Sequence, residues 1–359
     1  MLHRRFEAPL LRAKNLKVAR ESLKYFFLCL LIQWKWQVVK PYGWDSSIAL
    51  AENDKYNHNW AMYCVMEGGV FINDTFRNST NDRDRWAVEP PFGHYSYQGN
   101  TGQLKIVVVG NSWAAQHAQV MRNIFPGWKT AEFHVFSQAT FALGIDNEAE
   151  RIKNQAPFVM KFLADLQPDY VFILLRYLDE NDPFTTGPGN DTRTEVYWKG
   201  IKEISKIAKH VFIEGHQPFR CDHLHRDDRF TRFLDALERG EDLNKFNMPL
   251  NASAFYNHAV YKRLKVITER CANCHLLDFS ATFIDVAKNE LSTYDPKTKF
   301  IYMDGGCHFT ATGLKMLEKP LREAIESVLK QTNNSGPSLP ESEGPAFWKH
   351  GGKYGPTIP

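Results

Sequence analysis

The feature that most constrains this chain is a series of short, unbroken apolar runs separated by helical patterns. The first is KIVVV (105–109), and the type repeats at 132–136 (EFHVF), 169–175 (DYVFILL), 210–215 (HVFIEG) and 275–280 (HLLDFS). A strand with one wet face alternates apolar and polar residues, whereas a continuous run marks a strand covered on both faces, as in a parallel sheet. Between the runs, 3.6-residue periodicity predicts helices over 113–125, about 152–166, about 194–208 and 255–270. Strands alternating with helices predict an α/β fold built on a doubly wound parallel sheet. Sites in such sheets gather beyond the carboxyl ends of the strands, and the segment VVVGNSWA (107–114) puts Ser112 at that place.

Three segments break the alternation. Residues 45–104 are rich in Asn, Asp, Gly and aromatics and read as an irregular lead-in packed on the main domain, which spans 105–332. Residues 221–250 form a charged, partly helical insertion, and 333–359 turn to Asn, Ser, Gly and Pro, the composition of a disordered tail.

The amino terminus has its own character. Residues 1–24 carry seven Lys or Arg against Glu7 and Glu21, a basic flank, and the apolar run YFFLCLLIQWKWQVV (25–39) follows. The run is shorter than the roughly 20 residues of a usual span and Lys35 interrupts it. Its basic flank and the pair Trp34 and Trp36 nevertheless match a cytoplasmic positive end and an interfacial aromatic anchor. Residues 25–44 are therefore expected to be a transmembrane or interfacial helix, an N-terminal anchor that puts the rest in the secretory lumen or outside the cell. Five acceptor tripeptides for N-glycosylation, at Asn73, Asn78, Asn190, Asn251 and Asn333, all lie beyond the run. Cys64, Cys221, Cys271, Cys274 and Cys307 would then sit in an oxidising compartment, with at least one unpaired within the chain and the connectivity open.

Composition excludes other classes. A net charge of +3 with no arginine-rich face argues against nucleic acid as a partner. No metal or cofactor is expected: Cys271 and Cys274 form a lone C-x-x-C, His223 and His225 lack a third ligand, and no glycine-rich phosphate loop follows a strand. Trp44, Trp60 and Trp86 fit core packing better than a substrate groove.

Ser112 has two readings, a helix cap or a nucleophile. A serine hydroxyl needs a base to take its proton, and a nearby imidazole is the usual one. The stretch FIYMDGGCHFTATGLKML (300–317) supplies His308 before a helix opening near Thr310 or Thr312, with Asp304 on the same glycine-containing loop. A neighbouring carboxylate can fix the imidazole tautomer and stabilise the imidazolium.

Together these segments resemble the SGNH/GDSL hydrolase superfamily. Gly110-Asn111-Ser112-Trp113-Ala114 is similar to its Gly-Asp-Ser block, and Asp304 and His308 with Phe309, Thr310 and Gly313 are similar to its closing Asp-x-x-His block. The flavour resembles the SGNH domain fused behind the membrane domain of acyltransferase-3-type proteins, including the run YVFILLRYLDEND (170–182), where an apolar strand ends in Arg176 and an aromatic. HRRFEAPLLRAKN (3–15) is similar to the end of that membrane domain's last core helix. The resemblance implies a three-layer α/β/α sandwich around a flavodoxin-like parallel sheet of about five strands.

It also implies roles. Ser112 would be the nucleophile, His308 the general base and Asp304 its orienter. The Ser112 N–H and Gly144 would form the oxyanion hole, with Asn111 and Arg176 lining the site or supporting it. The implied function is a serine O-acyltransferase or esterase acting on O-acyl esters through an acyl-serine. Its partners would be an acyl donor, a hydroxyl-bearing carbohydrate or lipid acceptor, membrane lipid and an acyltransferase-3-type membrane domain. Three departures stand out: Asn111 replaces the usual Asp, Asp304 lies four residues before His308 rather than three, and the superfamily's Gly-x-Asn-Asp block is missing. The second and third keep open a catalytically degenerate binding module on the same fold.

Overall fold

The computed structural model describes residues 46–54, 69–72, 92–138, 156–176, 187, 191–215, 229–250, 257–285, 287–304 and 308–331. The chain divides into two compact units, Met1–Ile48 and Ala49–Pro359, and the sheets and cores belong to the second.

Each apolar run forms a strand. β3 (Leu104–Gly110), β4 (Thr130–Ser137), β5 (Tyr170–Leu174), β6 (His210–Glu214) and β8 (Cys274–Leu277) pair in parallel in the spatial order β4-β3-β5-β6-β8. This is the flavodoxin-like order, whose switch point falls between the first strand and the third, here β3 and β5. Alternate side chains serve the two faces. Val107, Val109, Val171, Ile173, Val211 and Ile213 pack with helices α3 (Ala156–Leu166), α4 (Thr192–Ser205) and α6 (Ala259–Glu269). Ile106, Val108, Phe133, Val135, Phe172 and Phe212 pack with α2 (Ser112–Ile124) and α7 (Ala311–Gln331) on the other side. The three-layer expectation holds. These side chains are almost wholly excluded from water, and each branched aliphatic or phenylalanine so buried is worth about 1.5–3 kcal/mol.

Parts of the lead-in form regular elements among the described residues. β1 (Gly69–Phe71) and β2 (Gly93–Tyr97) add to the β4 edge as antiparallel strands and make the sheet seven-stranded and mixed. Helix α1 (Ser46–Asp54) is fixed through Asn53, which donates to Lys299 O at 2.9 Å and accepts from Ile301 N at 2.9 Å. The charged insertion contributes α5 (Arg229–Glu238). Its Phe230, Phe233, Ala236 and Leu237 join Tyr294 and Ile301 in a separate core, so this helix is amphipathic. β7 (Met248–Pro249), β9 (Ile284–Asp285) and β10 (Glu290–Leu291) make a small antiparallel sheet in the order β7-β10-β9.

Among the described residues no helix is long and apolar enough to cross a membrane. The anchor expected over 25–44, the tail from 333 and all five glycosylation acceptors lie outside the described residues. Cys271 and Cys274 form a disulfide across the turn from α6 into β8, a pairing the spacing alone left open.

Candidate active site

The site forms where β3 meets α2 at the switch point. Gly110 pairs with Ser137 of β4 on one side and Leu174 of β5 on the other. A Cβ on Gly110 would lie 1.8 Å from the Leu174 carbonyl oxygen, so only glycine lets β3 end this close to β5. The next residue settles the question of the cap. Asn111, not Ser112, is the N-cap of α2, and its Oδ1 accepts from Trp113 N at 3.2 Å. Asn111 also clasps the chain beyond β5: its Nδ2 donates to Arg176 O at 2.9 Å, and Arg176 N donates to its Oδ1 at 3.1 Å.

Ser112 is thus the first residue of the helix, half-buried. There the main-chain N–H groups have no partner within the helix and the dipole favours negative charge. Its Oγ lies 3.0 Å from His308 Nε2 across 196 residues of sequence.

The segment carrying His308 is held by main-chain bonds. Met303 and Phe309 form an antiparallel bridge, Asp304 N donates to His308 O at 2.8 Å, and Thr310 N donates to Tyr302 O at 2.9 Å. A Cβ on Gly313 would lie 2.2 Å from the Tyr302 oxygen, so glycine again permits the helix to start this close. The early placement of Asp304 has a visible consequence. Its Oδ1 accepts the His308 main-chain N–H at 2.8 Å and stands 3.8 Å from the ring Nδ1, beyond hydrogen-bond reach.

Electrostatics keep the imidazole neutral. Burial pushes His308 down to about 3, and the Arg176 guanidinium adds to the shift. For Nε2 to accept from the serine hydroxyl, the ring proton must sit on Nδ1, the nitrogen facing Asp304.

Beneath Ser112 lies a buried pair that the sequence reading did not assign a role. His117 Nδ1 is 2.8 Å from Trp113 O, and its Nε2 is 3.7 Å from Glu214 Oε1 at the end of β6; neither side chain is exposed. Burial holds His117 down to about 4, against the pull of the Trp113 carbonyl. Gln116 was likewise unassigned, and its amide bonds twice to Phe309.

Of the residues expected in the site, the structure brings together Ser112, His308, Asp304, Asn111 and Arg176, while Gly144 lies outside the described residues. His223 and His225 also lie outside them, and among the described residues no cluster of metal-ligating side chains exists.

The family model "SGNH domain (fused to AT3 domains)" matches residues 78–323. No curated protein matches the chain. Among solved structures, the lipopolysaccharide acetyltransferase periplasmic domain of Salmonella ser. Paratyphi A is similar at 13% identity over 64% of this chain and 85% of that one, with a TM-score of 0.43. The C-terminal catalytic domain of Streptococcus pneumoniae peptidoglycan O-acetyltransferase A matches at 11% identity over 64% and 96%, TM-score 0.29. The acetylxylan esterase Axe2 of Geobacillus stearothermophilus matches at 15% over 64% and 96%, TM-score 0.34. With the family model covering well over half of the sequence, the chain belongs to the family of SGNH domains that occur fused to AT3 domains.

Proposed function

We propose that this domain carries out acyl transfer from O-acyl esters through Ser112. The observation that carries the proposal is the 3.0 Å approach of Ser112 Oγ to His308 Nε2, a nucleophile and base within hydrogen-bond distance before any substrate binds. His308 Nε2 takes the hydroxyl proton as Oγ attacks the ester carbonyl. The tetrahedral oxyanion is met by the Ser112 N–H at the positive end of α2, and donors of this kind are worth about 3 kcal/mol each. Collapse expels the alcohol, which receives the proton from His308, and leaves an acyl-serine. A second hydroxyl, or water, then repeats the steps in reverse. Asp304 supplies negative charge on the Nδ1 side of the ring.

The choice between transfer and hydrolysis is the choice of second nucleophile. Membership of a family whose domains are fused to AT3 domains supports transfer to a hydroxyl of a carbohydrate or lipid, with a membrane acyltransferase domain delivering the acyl group. The apolar run at 25–39, its basic flank and the five acceptor asparagines support a membrane-tethered domain in the secretory lumen or outside the cell.

The chemistry is tested by labelling the full chain with a fluorophosphonate probe. Wild type is expected to label and Ser112→Ala and His308→Ala are not. Absence of Ser112-dependent labelling in folded protein would replace this reading with a binding module on the same fold. Nitrophenyl acetate turnover with and without a soluble sugar acceptor then separates transferase from esterase. A mobility shift on endoglycosidase treatment tests the location.

A further inference from the structure

The 3.8 Å gap between Asp304 and the His308 ring raises the question of what sets the imidazole in place. Helix α2 supplies a second amide that answers it. Gln116 has no exposed surface. Its Nε2 donates to Phe309 O at 3.2 Å and its Oε1 accepts from Phe309 N at 3.2 Å, across 193 residues of sequence. Both main-chain groups of the residue after His308 are therefore held by one side chain. Gln116 lies four residues after Ser112, one turn along the same helix face. The two contacts close a ring: Ser112 to His308, one step along the chain to Phe309, across to Gln116, and back one turn to Ser112. Phe309 is further wedged by Trp113 and His117, with ring centroids at 5.2 and 5.5 Å.

A buried amide is a costly way to fill space, since an apolar side chain of the same volume carries no desolvation penalty. What the amide adds is direction, because its two bonds fix the height of the 308–310 segment along α2. Asn111 does the same for Arg176 from the start of that helix. We infer that Gln116 is a positioning residue for the base: by clamping the main chain of Phe309 it holds the His308 ring at transfer distance from Ser112, where Asp304 stands 3.8 Å from Nδ1. The inference rests on the reading of Ser112 and His308 as nucleophile and base.

The test compares wild type, Ser112→Ala, Gln116→Met and Gln116→Glu in the full chain, following the rate and saturation of fluorophosphonate labelling between pH 5.5 and 8. Methionine conserves volume and abolishes both bonds. A displacement of about 1 Å at a reacting pair can cost about 100-fold, so Gln116→Met is expected to slow maximal labelling 10- to 100-fold while half-saturation stays near wild type, and its melting temperature is expected to fall because the buried Phe309 N–H and C=O lose their partners. The ionised glutamate keeps the acceptor and loses the donor, whereas the protonated acid restores both. Gln116→Glu is therefore expected to be slow at pH 8 and to recover towards wild type at pH 5.5, a rescue that a merely space-filling role would not produce. Labelling of folded Gln116→Met within twofold of wild type overturns the inference, as does a failure of both variants to fold. A wild type that does not label at Ser112 instead removes the reading beneath it.

Discussion

At the scale of residues, two of the three departures from the family pattern have different weights. Asn111 is better suited to its place than an aspartate, because its Nδ2 satisfies the Arg176 carbonyl. In Asn111→Asp that donor is lost and two acceptors face each other in a pocket with 4% exposure of residue 111. An unsatisfied buried group costs about 1–3 kcal/mol, so Asn111→Asp should lower the unfolding free energy measured in urea by that amount; an unchanged free energy would show that the amide donor is dispensable. Asp304 is the weaker orienter. Where a triad aspartate bonds directly to the histidine, its amide variant loses about 10⁴-fold in rate. Asp304→Asn keeps the acceptor for the His308 N–H and removes only a charge 3.8 Å from the ring. Its labelling rate should fall by no more than about 100-fold, and a loss near 10⁴ would mean that Asp304 closes on Nδ1 during the reaction. Ser112, Asp304 and His308 were legible because each sits in a short local pattern. Gln116 was not, because its partner lies 193 residues away and nothing in the adjacent sequence announces it.

At the scale of elements, what the sequence disclosed follows from burial. The five parallel strands are continuous apolar runs because helices cover both faces, and helices α2, α3, α4 and α6 start and end within a few residues of their periodic patterns. β1 and β2 escaped notice for the converse reason. They are short, at 3 and 5 residues, β1 is the edge strand with β2 beside it, and GHYSY mixes polar and aromatic residues that carry no clear period. The most consequential tie between elements was also invisible. Asp191 caps α4, accepting from Thr194 N at 3.0 Å, and takes both Nε and Nη2 of Arg263 on α6 at 2.7 and 3.1 Å, with side chains 2% and 1% exposed. The Arg263 bonds hold the Asp191 carboxyl down to about 2. Truncating one partner of such a pair strands the other charge, which costs about 3–5 kcal/mol, whereas replacing both by apolar residues can be nearly neutral. Asp191→Ala should therefore destabilise by that amount in urea. Adding Arg263→Met should restore most of it, less the lost cap of about 1 kcal/mol. Additive losses in the double variant would contradict this account.

At the scale of the whole molecule, buried histidines make the fold dependent on pH in one direction. His94 Nε2 and His134 Nδ1 meet at 3.1 Å between β2 and β4, and His210 Nδ1 and His275 Nε2 meet at 3.1 Å between β6 and β8. Facing nitrogens at that distance share one hydrogen, so full protonation of either pair would place two positive charges side by side. Glu132 beside His134 and Asp169 near His210 pull upward, while Lys209 pushes His210 further down. Burial dominates throughout. It holds His94 at about 3 and His117 and His275 at about 4, lowers His134 and His210, and with Arg176 holds His308 at about 3. The sign follows from linkage. Below the unfolded value of about 6.5 the unfolded chain takes up protons that the folded chain refuses, so stability is highest above that value and falls as pH drops towards the folded values. Each such histidine contributes up to about 1.4 kcal/mol of loss per pH unit. Several acting together should make the urea midpoint fall steeply between pH 7 and pH 5. Replacing His210 and His275 by a neutral pair such as Gln and Leu should flatten that slope without moving labelling at Ser112, since both lie at the far end of the sheet from the nucleophile. Because His308 stays neutral through this range, the acid limb of Ser112 labelling should follow the unfolding curve rather than an imidazole titration near 6.5. Labelling that declines with a midpoint near 6.5 in protein still folded by near-ultraviolet circular dichroism would place the base in a more open, more hydrated site than the one these contacts build.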